Sequence, residues 1–266
     1  MATPPLTPDQ TRNNLLGCFD ELQALMESLP PAEWAVQSLC PDWTVRGVIT
    51  HLAAVEHVLD GWRPTDEDIN PPFARMQEYI DTAAPWSVEE LSAGVRGLLD
   101  ARRAQLAETT DEQFAHPSMT PVGPGTYQRF MDVRTFDFWV HQRDMCLPLA
   151  RPTVDDGPDA VRSLDEVDDS IGYIVGKKIG LPDPMSIRFH LTGPIKRDID
   201  VAVEGRATRV DGLADPDVTV NTDSTTFIML ACGRIDPQAV IDRGDISWSG
   251  DSTWGEQAAR NLRFTM

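Results

Sequence analysis

Two histidines and one aspartate in this chain have the residue types and spacing of a metal site. In the run Phe136-Asp137-Phe138-Trp139-Val140-His141 a carboxylate precedes an imidazole by four residues. On a helix that spacing puts both groups on one face, one turn apart. Aromatic and aliphatic neighbours argue against an open surface for the pair. A buried carboxylate and imidazole need partners, and a divalent cation is one such partner. His51, beside the inward stripe of Val48, Leu52 and Val55, would add a third ligand from a facing helix. The same Asp–His spacing also occurs as a plain hydrogen-bonded pair, and spacing alone leaves both readings open. His57 follows His51 by six residues, about 240° round the helix, so the two do not share an ion. His116 falls in a Pro-rich loop and His190 on the outer face of a strand. These three read as solvated or structural histidines.

The elements that must position these groups change period along the chain. Leu15, Phe19, Leu22, Leu25, Met26 and Leu29 follow helical spacing until Pro30-Pro31. A second helix starts after Cys40-Pro41-Asp42-Trp43-Thr44, capped by Asp42 or Thr44, with Val45, Val48, Leu52, Val55, Val58 and Leu59 inward. Leu91, Val95, Leu98, Arg102 and Leu106 mark a third, and residues 128–149 a fourth. Residues 61–86 and 116–126, rich in proline, read as irregular loops, and 158–178 as a further helix leading into a connection. After Gly180-Leu181-Pro182 the apolar residues alternate, as in Ile187, Phe189, Leu191 and in Ile199, Val201, Val203. Val218-Val220 and 246–249 read as strands, 224–232 and 253–262 as helices. The expected fold class is therefore α+β in two domains: a helical bundle over 1–182 and a smaller α+β domain over 183–266.

Charge excludes some roles. Lys and Arg number 23 against 42 Asp and Glu, a formal net charge of −19. Such a surface repels phosphate backbones and anionic lipid, so neither nucleic acid nor membrane is an expected partner. No apolar run approaches the roughly 20 residues of a membrane span, and the N-terminus lacks the features of a secretion signal. A soluble, cytoplasmic protein is the simplest reading. Cys18, Cys40, Cys146 and Cys232 form no CxxC pair and read as reduced, small hydrophobes. Cys40 lies near the His51 motif, but its sequence neighbours supply no base, so no nucleophilic role is expected of it.

Three stretches carry a family resemblance. The run Cys40-Pro41-Asp42-Trp43-Thr44-Val45-Arg46-Gly47-Val48-Ile49-Thr50-His51-Leu52 resembles the signature of the mycothiol-dependent maleylpyruvate isomerase family, which belongs to the wider DinB-like metal-binding helical bundles. Arg134 to Met145 is similar to that family's later helix, and Asp217-Val218-Thr219-Val220 through Phe227 to Arg234 to its C-terminal domain, related to sterol-carrier folds. The resemblance implies a DinB-like four-helix bundle followed by a sterol-carrier-like domain. It puts the metal ligands on His51, Asp137 and His141, with Asp137 where the family commonly has glutamate. Zinc is the first choice of cation, with nickel and iron as alternatives.

The resemblance also implies mycothiol, a thiol of actinobacteria, as cofactor or cosubstrate. Its thiolate would add to a small electrophile, giving cis–trans isomerisation or thiol transfer. Asp144 is expected to accept the far ring N–H of a histidine or touch the thiol's sugar, unless it simply pairs with Arg143 or Arg46. Arg234 would hold a substrate carboxylate, or else only cap its helix end. Trp43, Arg46 and Trp139 are the candidate cofactor contacts, the two tryptophans being core or pocket wall. The competing reading is a non-catalytic carrier of a lipid or other small molecule, which needs no stoichiometric cation. The electrophile and the oligomeric state are not legible.

Overall fold

The protein is described here by a computed structural model covering residues 5–264. Its contacts divide it into two units, 5–153 and 154–264. The first is helical. Its long helices are α1 (Pro8–Ser28), α2 (Val45–Leu59), α4 (Val88–Glu108) and α6 (Tyr127–Cys146), with the shorter α3 (Ala74–Ala83) and α5 (Asp111–Ala115) between them. Their starts follow capping chemistry. Thr7 and Gln10 form a capping box on α1, Ser87 and Glu90 one on α4, and the Thr44 hydroxyl accepts from the Gly47 amide on α2. The expected apolar stripes pack together: Leu15, Phe19 and Leu22 of α1, Val48 and Leu52 of α2, and Leu91, Val95 and Leu106 of α4 are all buried.

Two stretches expected to be irregular are ordered. Within 61–86 lies α3, which has no side-chain cap and buries only Tyr79 and Ala83. So short an apolar signal is easily lost beside Pro71-Pro72. Residues 116–126, expected as a loop, form a hairpin of β1 (Pro117–Thr120) and β2 (Gly123–Thr126). Its buried residues on β1 are Ser118 and Thr120, so no apolar alternation betrays it. Gly123, at φ +110°, supplies the backbone conformation its tight turn requires.

The second unit holds α7 (Pro158–Asp169), α8 (Ile171–Tyr173) running into a π-helical turn (Ile174–Ile179), and a five-stranded sheet. The strands are β3 (Ser186–Thr192), β4 (Arg197–Glu204), β5 (Arg206–Val210), β6 (Val218–Asp223) and β7 (Ile246–Gly250), in the order β5-β4-β3-β6-β7. All neighbours are antiparallel except β3 and β6. Ile187, Phe189, Ile199, Val201, Val218 and Val220 are buried, as their alternation requires. The helices α9 (Ser224–Ala231), α10 (Pro237–Arg243) and α11 (Ser252–Asn261) complete the unit. Its start differs from the sequence reading, which drew the boundary at 182. Residues 158–179 instead hold to the sheet. Asp165 pairs with Arg197 at 2.6 Å and Asp168 with Arg209 at 2.8 Å. Gly172 lies so close to β5 that a Cβ there would be 2.9 Å from the Ala207 carbonyl oxygen. Helical periodicity identifies such a segment but not the partner against which it packs.

Candidate metal centre

The loop ahead of α2 is fixed before the helix begins. Gln37 and Thr44 form a β-bridge, and the Ser38 hydroxyl donates to the Trp43 carbonyl at 2.6 Å. Gln37 Nε2 donates to the carbonyls of Cys40 and Trp43 at 2.7 and 2.8 Å. Trp43, Gly47 and His51 then follow at four-residue steps, one face of the helix start. A Cβ at Gly47 would lie 3.1 Å from Trp43 Cβ. The missing side chain lets the indole lie along the helix and stack on the His51 imidazole, with ring centroids 4.7 Å apart at 27°.

On α6 the facing groups are Arg134, Asp137, His141 and Asp144, at steps of three, four and three residues. Asp137 Oδ1 stands 3.3 Å from His141 Nε2, and its Oδ2 stands 3.7 Å from His51 Nε2. The two imidazole rings meet nearly edge-on, 5.0 Å apart at 70°. One donor atom from each of His51, Asp137 and His141 lies within 4.8 Å of the others. His141 Nδ1 donates to Asp144 Oδ2 at 2.8 Å. A carboxylate behind the far nitrogen is the usual support of a ligand imidazole, because it fixes ring and tautomer.

Beneath the carboxylate lies a buried ionic network. Glu56, fully buried on α2, accepts from Arg102 Nε at 2.8 Å and from Arg134 Nε at 2.9 Å. Arg134 also donates through Nη1 to Asp137 and through Nη2 to the Leu52 carbonyl. Burial pushes the Asp137 carboxyl upward, but the charges of Arg134 and His141 outweigh it and hold the group well below the usual carboxylate range. For His141, burial favours the neutral ring, and the Asp137 charge with the bonds to Asp137 and Asp144 overcomes it, raising the ring well above its usual value. Without a cation His141 is thus an imidazolium between two carboxylates.

His51 is different. Its Nδ1 is buried without a partner, and its Nε2 is beyond hydrogen-bond length from Asp137. A buried ring nitrogen without a partner is costly; the other nitrogen, turned toward Asp137, is the one positioned to bind a cation. The donor set fits a divalent cation: two imidazole nitrogens and one anionic oxygen, with room in the coordination sphere.

Comparison with known proteins gives the family and the fold. Residues 15–146 match the family model described as the mycothiol maleylpyruvate isomerase N-terminal domain. This chain carries that domain. The crystal structure of the mycothiol-dependent maleylpyruvate isomerase has the same fold at a TM-score of 0.62 and 16% identity, covering 92% of this chain and 93% of that one. A histidine-to-alanine mutant of it gives 0.61 at 15% identity with the same coverage. No curated protein sequence matches the chain.

The other expected site residues fall in different places along the chain. Arg46 donates to the carbonyls of Ala83 and Trp86 at 3.0 and 2.8 Å, so its guanidinium ties the end of α3 to α2. Trp139 is buried under the Arg143 guanidinium, which lies 3.4 Å from its ring centroid. Of the three proposed cofactor contacts, only Trp43 touches the histidines. Arg234 belongs to the second unit, where its Nη1 donates to the Cys232 carbonyl beyond the end of α9. That is a helix-end contact. His116 bonds to Asp66 and His190 to Asp198, while His57 packs against Tyr79.

Cys40 departs from the expectation that no base is near it. Its thiol donates to Asp144 Oδ2 at 3.1 Å and lies 3.8 Å from His141 Nδ1. Those neighbours come from α6, a hundred residues on, and nothing in the local sequence shows them. Glu56 and Arg134 were also missed. The signal for Arg134 was present, as the first member of a polar 3-4-3 stripe through an aromatic helix. Glu56 had no such stripe to mark it.

Proposed function

We propose that this protein is a metal-dependent enzyme that uses mycothiol, adding its thiolate to a small electrophile. Isomerisation of the maleylpyruvate type is the leading reaction and thiol transfer the neighbouring one. The convergence of His51 from α2 with Asp137 and His141 from α6 carries this reading. A divalent cation bound there, zinc by first choice, supplies a positive centre that keeps an entering thiol ionised at neutral pH.

The chain's own residues do the rest. Asp144 holds the His141 ring so that Nε2 is turned to the site. Arg134, anchored by Glu56, takes up one edge of Asp137 and limits its rotation. This support suits an aspartate standing where the family commonly has the longer glutamate. Trp43 covers one face of His51 and keeps water from it. The small electrophile and mycothiol are the partners of this reaction, carried out in the cytoplasm. No helix among the described residues is long and apolar enough to cross a membrane.

Metal analysis of protein purified without chelator tests the reading, together with thermal-shift titration with mycothiol. The wild type should carry about one equivalent of divalent cation and be stabilised by mycothiol. His141→Ala should lose both the cation and any mycothiol-dependent turnover. Full metal content in that variant would refute the coordination, and a wild type without stoichiometric metal would favour a carrier.

A further inference from the structure

His141 has two faces, and the second is also furnished with ligand atoms. Nε2 looks toward His51 and Asp137. Nδ1 looks toward Asp144 Oδ2 and Cys40 Sγ, at 2.8 and 3.8 Å, with 3.1 Å between sulfur and oxygen. Cys40 is 8% exposed, His141 5% and Asp144 0%, so the cluster lies away from bulk water. It is also preassembled. The Leu39 amide donates to the Asp144 carbonyl at 3.0 Å, pinning the Cys40 loop onto α6, and the Cys40 amide donates to Ser38 Oγ at 3.1 Å.

We propose that Cys40, Asp144 and His141 Nδ1 form a second cation site, selective for thiophilic ions, whose occupation excludes the first. Metal–sulfur and metal–nitrogen lengths of about 2.3 and 2.0–2.1 Å put tetrahedral donor atoms roughly 3.4–3.6 Å apart. The three separations seen lie within about 0.2–0.6 Å of that range. The thiolate gives this site its selectivity, since sulfur prefers soft ions while the His51 side offers only nitrogen and oxygen. On binding, the Cys40 thiol proton and the His141 Nδ1 proton leave to solvent, and the ring turns its remaining N–H on Nε2 toward Asp137. A neutral imidazole has one lone pair in the ring plane, so one ion at a time holds His141. A thiophilic cation would thereby disarm the enzyme from behind. This exclusion rests on the reading of the first site given above; the second site itself does not.

Titration of the metal-free protein with cadmium alone, in a non-thiol reductant, tests it. Cadmium bound to a thiolate produces a sulfur-to-metal charge-transfer band in the ultraviolet, which nitrogen and oxygen ligands do not give. The band should grow to saturation in the wild type, persist in His51→Ala, and vanish in Cys40→Ser. It should be suppressed when the protein is first loaded with zinc, and reappear as zinc is released. No band in the wild type, or a full band in Cys40→Ser, would overturn the site. A full band with zinc quantitatively retained would overturn the exclusion. A band in a protein that binds no zinc at all would support the second site while refuting the first.

Discussion

Glu56 is the residue whose removal tests the charge architecture most directly. It is buried between Arg102 and Arg134, themselves 0% and 2% exposed, with one carboxylate oxygen committed to each Nε at 2.8 and 2.9 Å. Glu56→Gln keeps the shape but removes the charge and sets an amide N–H against a guanidinium donor. Breaking a buried ion pair from one side costs about 3–5 kcal/mol, because the remaining cations are left uncompensated. That is a large part of the roughly 5–15 kcal/mol that holds a domain together. At about 2–4 °C per kcal/mol for a unit of this size, thermal unfolding should move down by about 6–20 °C. Metal binding should weaken as well. With Glu56 gone, Asp137 is the remaining carboxylate bonded to Arg134, and the guanidinium competes harder for the oxygen the cation needs. Urea unfolding of metal-free protein gives the first quantity, and competition with a chromophoric chelator the second. A loss below about 1 kcal/mol, the scale of an exposed pair, with unchanged metal affinity, would refute both steps.

Gly47→Ala puts a methyl group 3.1 Å from Trp43 Cβ, so the indole must shift from His51. Metal affinity should fall several-fold with little change in helix content, read by chelator competition and circular dichroism; an unchanged affinity would show that the stack does not position His51. The pH dependence has opposite signs in the two forms. His141, raised when folded, contributes stability fully present below its unfolded value near 6.5 and lost as pH rises through the folded value. Asp137, lowered, contributes stability that is lost only as pH falls through its folded value. Metal-free protein should therefore lose thermal stability as pH is raised beyond neutrality. Zinc binding at the proposed site would displace the ring proton, so its affinity should rise about tenfold per pH unit until the folded His141 value is passed. Chelator competition at several pH values checks this, and an affinity independent of pH would contradict it.

Much of this was legible in the sequence where a periodic apolar pattern met a cap. The four long helices, the alternating strands Ile187–Leu191 and Ile199–Val203, and the Asp223 cap of α9 all lie where their residues point. The illegible parts share one physical cause, burial by polar or short-range means. The hairpin at 117–126 buries serine and threonine, and α3 buries two side chains. The placement of 158–179 with the sheet depends on Arg197 and Arg209, whose acidic partners lie tens of residues earlier. The site divides in the same way. The spacing of Asp137 and His141 shows on one helix, and Asp144 extends it. Arg102 falls on the inward stripe of α4 by its spacing, but its partner Glu56 lies on another helix, and one sequence offers no sign that the two meet.

The charges around the proposed site bear on what a cation there would meet. Among Glu56, Asp137 and Asp144 on one side and Arg102, Arg134 and the His141 imidazolium on the other, three negative groups face three positive ones, each joined to an opposite by a contact. These six charges sum to zero before any cation is added. Replacing one ring proton by a doubly charged ion leaves a single excess positive charge in a region of low dielectric. A neutral ligand leaves that excess in place, whereas a thiolate cancels it. Two arginines thus do more than brace a carboxylate: by pairing with Glu56 and sharing Asp137 they would leave a cation at the proposed site with positive charge to spare. An anionic sulfur, as the proposed reaction requires, is a ligand that would offset it.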